Sequence, residues 1–140
     1  MILADTSAWV EYDRATGSKA DRRLAKLIAD DEGQLAISEP IFMEVLAGAR
    51  DEARENQLRR LLLRFELIRF DPVIDFDGAV GIYRRCRTAG VTPRGLVDCM
   101  IASVASRTSS TVLAHDRDIA RMAPVISIDL DPASLRPTLK

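Results

Sequence analysis

Five short apolar runs punctuate this chain at wide intervals, and each reads as a buried strand. They are MILA at 1–4, LAI at 35–37, LIRF at 67–70, TVLA at 111–114 and VISI at 125–128. Longer stretches with helical spacing separate them. Strands alternating with helices imply parallel pairing, because parallel neighbours need a crossover between them. The expected fold is therefore α/β, a three-layer α/β/α sandwich around a central parallel sheet. In such folds, sites form outside the carboxyl ends of the strands.

Helices are expected over 6–13 and 18–31, the second with Leu24, Leu27 and Ile28 on one face. Ser38, Glu39 and Pro40 open a helix that runs to about Gly48. A charged helix covers 51–65. Asp71-Pro72 opens the next, and Gly90 closes it. Thr92-Pro93 starts another, carrying Leu96, Met100, Ile101 and Val104, and 116–122 form a short last helix. With 140 residues and neither repeat nor linker-like tract, the chain reads as one domain over 1–140. That length buries a core without disulfides or structural metal.

Charge is nearly balanced, 20 Lys+Arg against 21 Asp+Glu, so no global basic field advertises a nucleic-acid partner. All but three of the cations are arginine, the side chain suited to bidentate phosphate contacts. Some cluster, as at Arg59, Arg60 and Arg64 and at Arg84, Arg85 and Arg87; solvated helix faces paired with nearby acids account for any one of them. Cys86 and Cys99 lie in apolar helix-like stretches without C-x-x-C spacing, and read as buried small hydrophobes suited to a reducing compartment. The start lacks the basic region and long apolar run of a signal peptide. The longest uncharged apolar-rich run, 99–106, is too short to cross a bilayer. A cytoplasmic protein without a membrane segment is expected.

Acids stand where acids are costly or pointed. Asp5 follows the first strand directly, where it either caps the next helix or faces a site. Glu44 sits inside IFMEVLA, past capping range, so it is either an edge residue with its head in water or a ligand. Asp98 interrupts GLVDCMIASVA about five residues after Pro93, beyond the reach of a cap. Its structural alternative is an i,i+4 pair with Arg94. Asp116 and Asp118 follow TVLA in HDRD, as caps or first-turn acids. Gathered at one sheet edge, Asp5, Glu44, Asp98 and Asp116 would repel unless a cation neutralised them. Carboxylates with retained waters suit Mg²⁺ or Mn²⁺, and that chemistry serves phosphodiester hydrolysis.

Absences narrow the reading. The single histidine, His115, excludes a two-histidine acid–base nuclease, and reads as an ordinary strand-end residue. There is no G-x-G-x-x-G and no P-loop. No second Asp stands two residues after Asp5, which argues against an aspartyl phosphotransferase. Trp9, Val10 and Tyr12 read as core or subunit contact.

DTSAW at 5–9, EVLAG at 44–48, VDCMIA at 97–102 and HDRD at 115–118 together resemble, in order and spacing, the motifs of the PIN-domain family, closest to its VapC-type toxins. The resemblance runs from residue 2 to about 128. It implies a Mg²⁺- or Mn²⁺-dependent endoribonuclease that cuts RNA with a metal-activated water and is inhibited by a cognate VapB-type antitoxin. It also implies a homodimer and a toxin–antitoxin hetero-oligomer. By motif, Asp5 and Asp98 match the acids most closely tied to metal, Glu44 the second-motif acid and Asp116 the fourth, with Asp118 as helper. Thr6 or Ser7 matches the hydroxyl after the first Asp. Arg94 and Arg117 are candidate holders of the RNA backbone, and the helices between 39 and 65 a groove for the antitoxin. Ile119 stands where the family often has Phe. The same acids also permit a metal-dependent phosphatase or DNA nuclease, or an inactive PIN-like domain that works by binding partners.

Overall fold

The computed structural model describes residues 1–30 and 32–137. Its elements, in chain order, are β1 (Ile2–Ala4), α1 (Thr6–Asp13), α2 (Lys19–Asp30), β2 (Leu35–Ile37), α3 (Glu39–Ala47), α4 (Glu52–Leu62) and β3 (Glu66–Leu67). Then come α5 (Ile74–Thr88), α6 (Leu96–Thr108), β4 (Thr111–Leu113) and α7 (Arg117–Ile126). The expected end of the second helix at Asp31 lies outside the described residues, as do positions 138–140.

The four strands form one parallel sheet in the order β3-β2-β1-β4. Successive residues of a strand point to opposite faces, and all three of β2 are buried. Both faces are therefore covered by helices, which makes the expected three layers. The chain grows from β1 toward β3 on one side, then returns to add β4 on the other. That reversal puts a topological switch point between β1 and β4. Their carboxyl ends are joined there, because the Asp5 amide donates to the Leu113 carbonyl at 2.8 Å.

Local chemistry accounts for most helix ends. Asp5, Asp51 and Asp116 each accept an amide of their own first turn as N-caps of α1, α4 and α7. Glu52 and Glu55 open α4 and Arg59 and Arg60 close it, in the sense that offsets the helix dipole. Asp71 Oδ1 accepts from the amides of Val73 and Ile74, so Asp71-Pro72 is the turn that launches α5. Trp9, fully buried, packs edge-on to Tyr12 and tilted against Phe65, which makes it core.

Three expectations need correction. VISI is not a strand: α7 continues through Ile126, because Ile119, Met122, Ala123 and Ile126 bury one helical face across Pro124. Only at Leu130 does the chain meet β4, by a single parallel bridge to Val112. The third strand is two residues, Glu66–Leu67, both exposed at the sheet edge, rather than 67–70. The helix expected at Thr92-Pro93 starts at Leu96, with Gly95 as N-cap. Asp98 is thus a first-turn residue and not beyond capping range.

Candidate active site

Asp5, Thr6, Ser7, Glu44, Arg94, Asp98, His115 and Asp116 line one cleft of about 520 Å³ beyond the carboxyl ends of β1 and β4. The four acids arrive from four different parts of the fold. Asp5 ends β1, Glu44 comes from α3, Asp98 from the first turn of α6, and Asp116 follows β4. Acids 111 residues apart in sequence thereby face a common space.

Asp5 serves as both a cap and a site acid. Its Oδ2 accepts from the Ser7 amide at 3.0 Å and the Ser7 hydroxyl at 2.6 Å. Its Oδ1 is buried with no hydrogen-bond partner. Two other buried side-chain polar atoms are unpartnered among the described residues, Trp9 Nε1 and Ser38 Oγ, and neither residue lines the cleft. Burial, with the nearby charges of Asp116 and Glu44, pushes Asp5 up to about 6 against the bonds from Ser7. Burial also raises Asp98, to about 7, helped by the charges of Asp5, Asp116 and Glu44 and opposed by Arg94. Paired structural acids move the other way, so this is an unneutralised negative site.

Neighbouring side chains hold oxygens of Glu44 and Asp116. Thr6 Oγ1 donates to Glu44 Oε1 at 2.7 Å. The Ser7 hydroxyl also accepts the His115 amide at 2.8 Å. Arg94 does not form the alternative i,i+4 pair with Asp98. Its Nη2 instead meets both oxygens of Asp116 at 3.0 Å, and its Nε meets Asp118 at 2.7 Å. The Asp118 side chain therefore reaches the cleft through Arg94, while its amide donates to Asp116 Oδ1. Arg117 is exposed and does not line the cleft.

A divalent cation fits this donor set in kind: hard carboxylate oxygens, one buried and unsatisfied, around an excess of negative charge. Among the described residues, no three of these side chains close around one ion-sized point. Thr6, Ser7 and Arg94 instead hold oxygens of Glu44, Asp5 and Asp116.

The family model described as the PIN domain matches residues 2–124. This chain belongs to the PIN-domain family. Among curated relatives, Ribonuclease VapC11 of Mycobacterium tuberculosis is 43% identical over 136 residues, 97% of this chain and 100% of that protein. VapC ribonuclease Mb1587 of Mycobacterium bovis matches to the same extent. In fold, the PIN domain resembles a chain of VapBC2 from Rickettsia felis bound to a promoter DNA fragment. The TM-score is 0.73 at 19% identity, over 96% of this chain and 99% of that one.

One feature of this PIN cleft escaped the sequence. His115 is part of its wall, with Nε2 3.4 Å from Glu11 Oε1, so it is more than a strand-end residue. Its place directly before Asp116 was the available signal. The arginine clusters also divide. Arg59 bonds to Glu55 and lies over Phe42, as a helix-face cation paired with a nearby acid, and Arg64 lies over Phe65. No helix in the described residues is long and apolar enough to cross a membrane.

Proposed function

We propose that this PIN-domain chain is a cytoplasmic Mg²⁺- or Mn²⁺-dependent endoribonuclease, the toxin of a toxin–antitoxin pair. One observation carries the reading: buried Asp5 presents an unpartnered oxygen to a cleft shared with Glu44, Asp98 and Asp116. Its relatives' name, ribonuclease, supplies the substrate class.

Asp5, Asp98, Glu44 and Asp116 would hold the cation, one or two ions in number. When bound, it supplies Lewis acidity toward water and the phosphate oxygens. The chain's own residues do the rest. Ser7 locks Asp5 to the end of β4, and Thr6 fixes Glu44, so two acids are oriented before any ligand arrives. Arginine at the rim holds the RNA backbone by charge. The partner in this reading is a VapB-type antitoxin whose arginine would neutralise the same acids. Exposed Met43 on α3 and Leu63 after α4 offer it an apolar seat. Homodimerisation belongs to the same proposal.

The test compares RNA, single-stranded DNA and a small phosphate ester, each with Mn²⁺ or with EDTA. Cation-dependent internal cleavage of RNA alone, abolished by Asp98→Asn, is the expected result. Equal cutting of DNA or ester hydrolysis would refute it in favour of a broader phosphohydrolase. Growth arrest on expression that survives Asp98→Asn would point to a partner-binding role.

A further inference from the structure

The acids of the cleft are not equally available. Asp5 has a free oxygen, whereas both oxygens of Asp116 are spanned by one nitrogen of Arg94. Asp116 Oδ1 also accepts the Asp118 amide at 2.7 Å. A cation that took both oxygens of Asp116 would have to displace that guanidinium. We propose that Arg94 is a positioning residue that holds Asp116 and Asp118, yields Asp116 when a divalent cation binds, and then binds the RNA phosphate backbone. This inference rests on the cation-dependent ribonuclease reading and adds a role for a side chain within it.

The surroundings suit a displaceable latch. The carboxylates are sheltered, with side-chain exposures of 10% and 14%, but the Arg94 side chain is 73% exposed. An ion pair with so exposed a partner is weak, because water and salt compete for it. A divalent cation attracted by four carboxylates outcompetes it. Arg94 comes from the irregular segment between α5 and α6, flanked by Pro93 and the N-cap Gly95, so moving it disturbs no helix. Its bonds to Asp116 and Asp118 reach 22 and 24 residues along the chain, outside its own segment. Arg94 and Gly95 already line the cleft. A released guanidinium therefore stays beside the place where a phosphate would sit, carrying a planar fork matched to phosphate oxygens.

Isothermal titration of Mn²⁺ into the full-length chain without RNA tests the first half. Arg94→Gln should bind Mn²⁺ roughly three- to fivefold more tightly than the unaltered chain, the share of an exposed pair. Arg121→Gln, which removes the same charge from an exposed position on α7, should leave that affinity unchanged and controls for net charge. Steady-state cleavage tests the second half. Arg94→Gln should raise KM for RNA about fivefold near 0.1 M salt, leave kcat within about twofold, and flatten the salt dependence by about 0.7, the contribution of one single-strand phosphate contact. Arg94→Lys should recover part of both effects. Unchanged or weaker Mn²⁺ binding by Arg94→Gln, or a fall in kcat with KM intact, would overturn the proposal. If the unaltered chain binds Mn²⁺ and cuts RNA while Arg94→Gln behaves identically, only this inference fails. If neither protein binds Mn²⁺, the cation reading falls with it.

Discussion

The Ser7 hydroxyl donates to Asp5 Oδ2 at 2.6 Å while accepting the His115 amide at 2.8 Å. One oxygen thus fixes the first acid of the cleft and ties α1 to the chain leaving β4. Ser7→Ala removes both bonds, leaving a partly buried amide without its acceptor. That loss is worth about 1–3 kcal/mol. The melting temperature should fall by several degrees, since 1 kcal/mol moves a domain of this size by about 3 °C. Only the Ser7 amide would then hold Asp5 against burial and the charges of Asp116 and Glu44, so the variant should also lose activity. A variant with unaltered melting and cleavage would show the hydroxyl to be idle.

Asp98→Asn should move activity and stability in opposite directions. Burial and the charges of Asp5, Asp116 and Glu44 raise its carboxyl to about 7, so above neutrality it ionises at a cost to the folded state. Replacing it by a neutral isostere relieves that repulsion. With EDTA at pH 8 the variant should melt about 2–4 °C higher, the shift expected of roughly 1 kcal/mol. RNA cleavage should fall at least about a hundredfold, the order lost when one group that stabilises charge in a transition state is removed. Calorimetry with a parallel cleavage assay decides it, and lower stability in EDTA would contradict the picture of an unneutralised site.

Most of the sheet was legible because β1, β2 and β4 are apolar runs bounded by polar residues, buried on both faces. VISI misled because a short apolar run carries no sign of its period; the buried face of α7, set by Ile119, Met122 and Ile126, continues through it. For Asp5 and Asp116 the choice between cap and site acid was false, since each caps its helix and lines the cleft. Asp98 was found for the wrong reason: Arg94 and Gly95 precede α6 outside the helix, so counting from Pro93 placed the acid too deep. What Arg94 binds was beyond reach, because its partners are supplied by the return of β4 to the sheet.

Gly78 on α5 is a packing position that spacing gave no reason to notice. A Cβ built there would stand 2.3 Å from Ser103 Oγ on α6, so the two helices approach too closely for any larger residue. Gly78→Ala must push Ser103 aside or part the helices, a change worth about 1–3 kcal/mol. Chemical denaturation should report that loss, with cleavage per folded molecule unchanged because the contact is remote from the cleft lining. A variant as stable as the parent would mean that α5 and α6 have slack.

Ser103 also belongs to the chain's most enclosed ionic cluster. Asp75, fully buried, accepts from Ser103 Oγ at 2.9 Å, from the Asp71 amide at 2.8 Å and from Arg107 Nη2 at 2.7 Å. Burial would raise its carboxyl, but those donors and the guanidinium charge outweigh it and hold it below the usual carboxylate range. A carboxyl depressed by folding stabilises the native state above its unfolded value near 3.9 and loses that contribution as pH falls toward the folded value. Asp75→Asn keeps the shape but leaves the half-buried Arg107 without its counter-ion, a loss on the order of 2–3 kcal/mol near pH 7. The gap in melting temperature between parent and variant should therefore be widest above about pH 5 and narrow as the pH is lowered through 4 toward 3. A gap that stays constant over that range would assign the loss to packing and not to the ionised carboxyl.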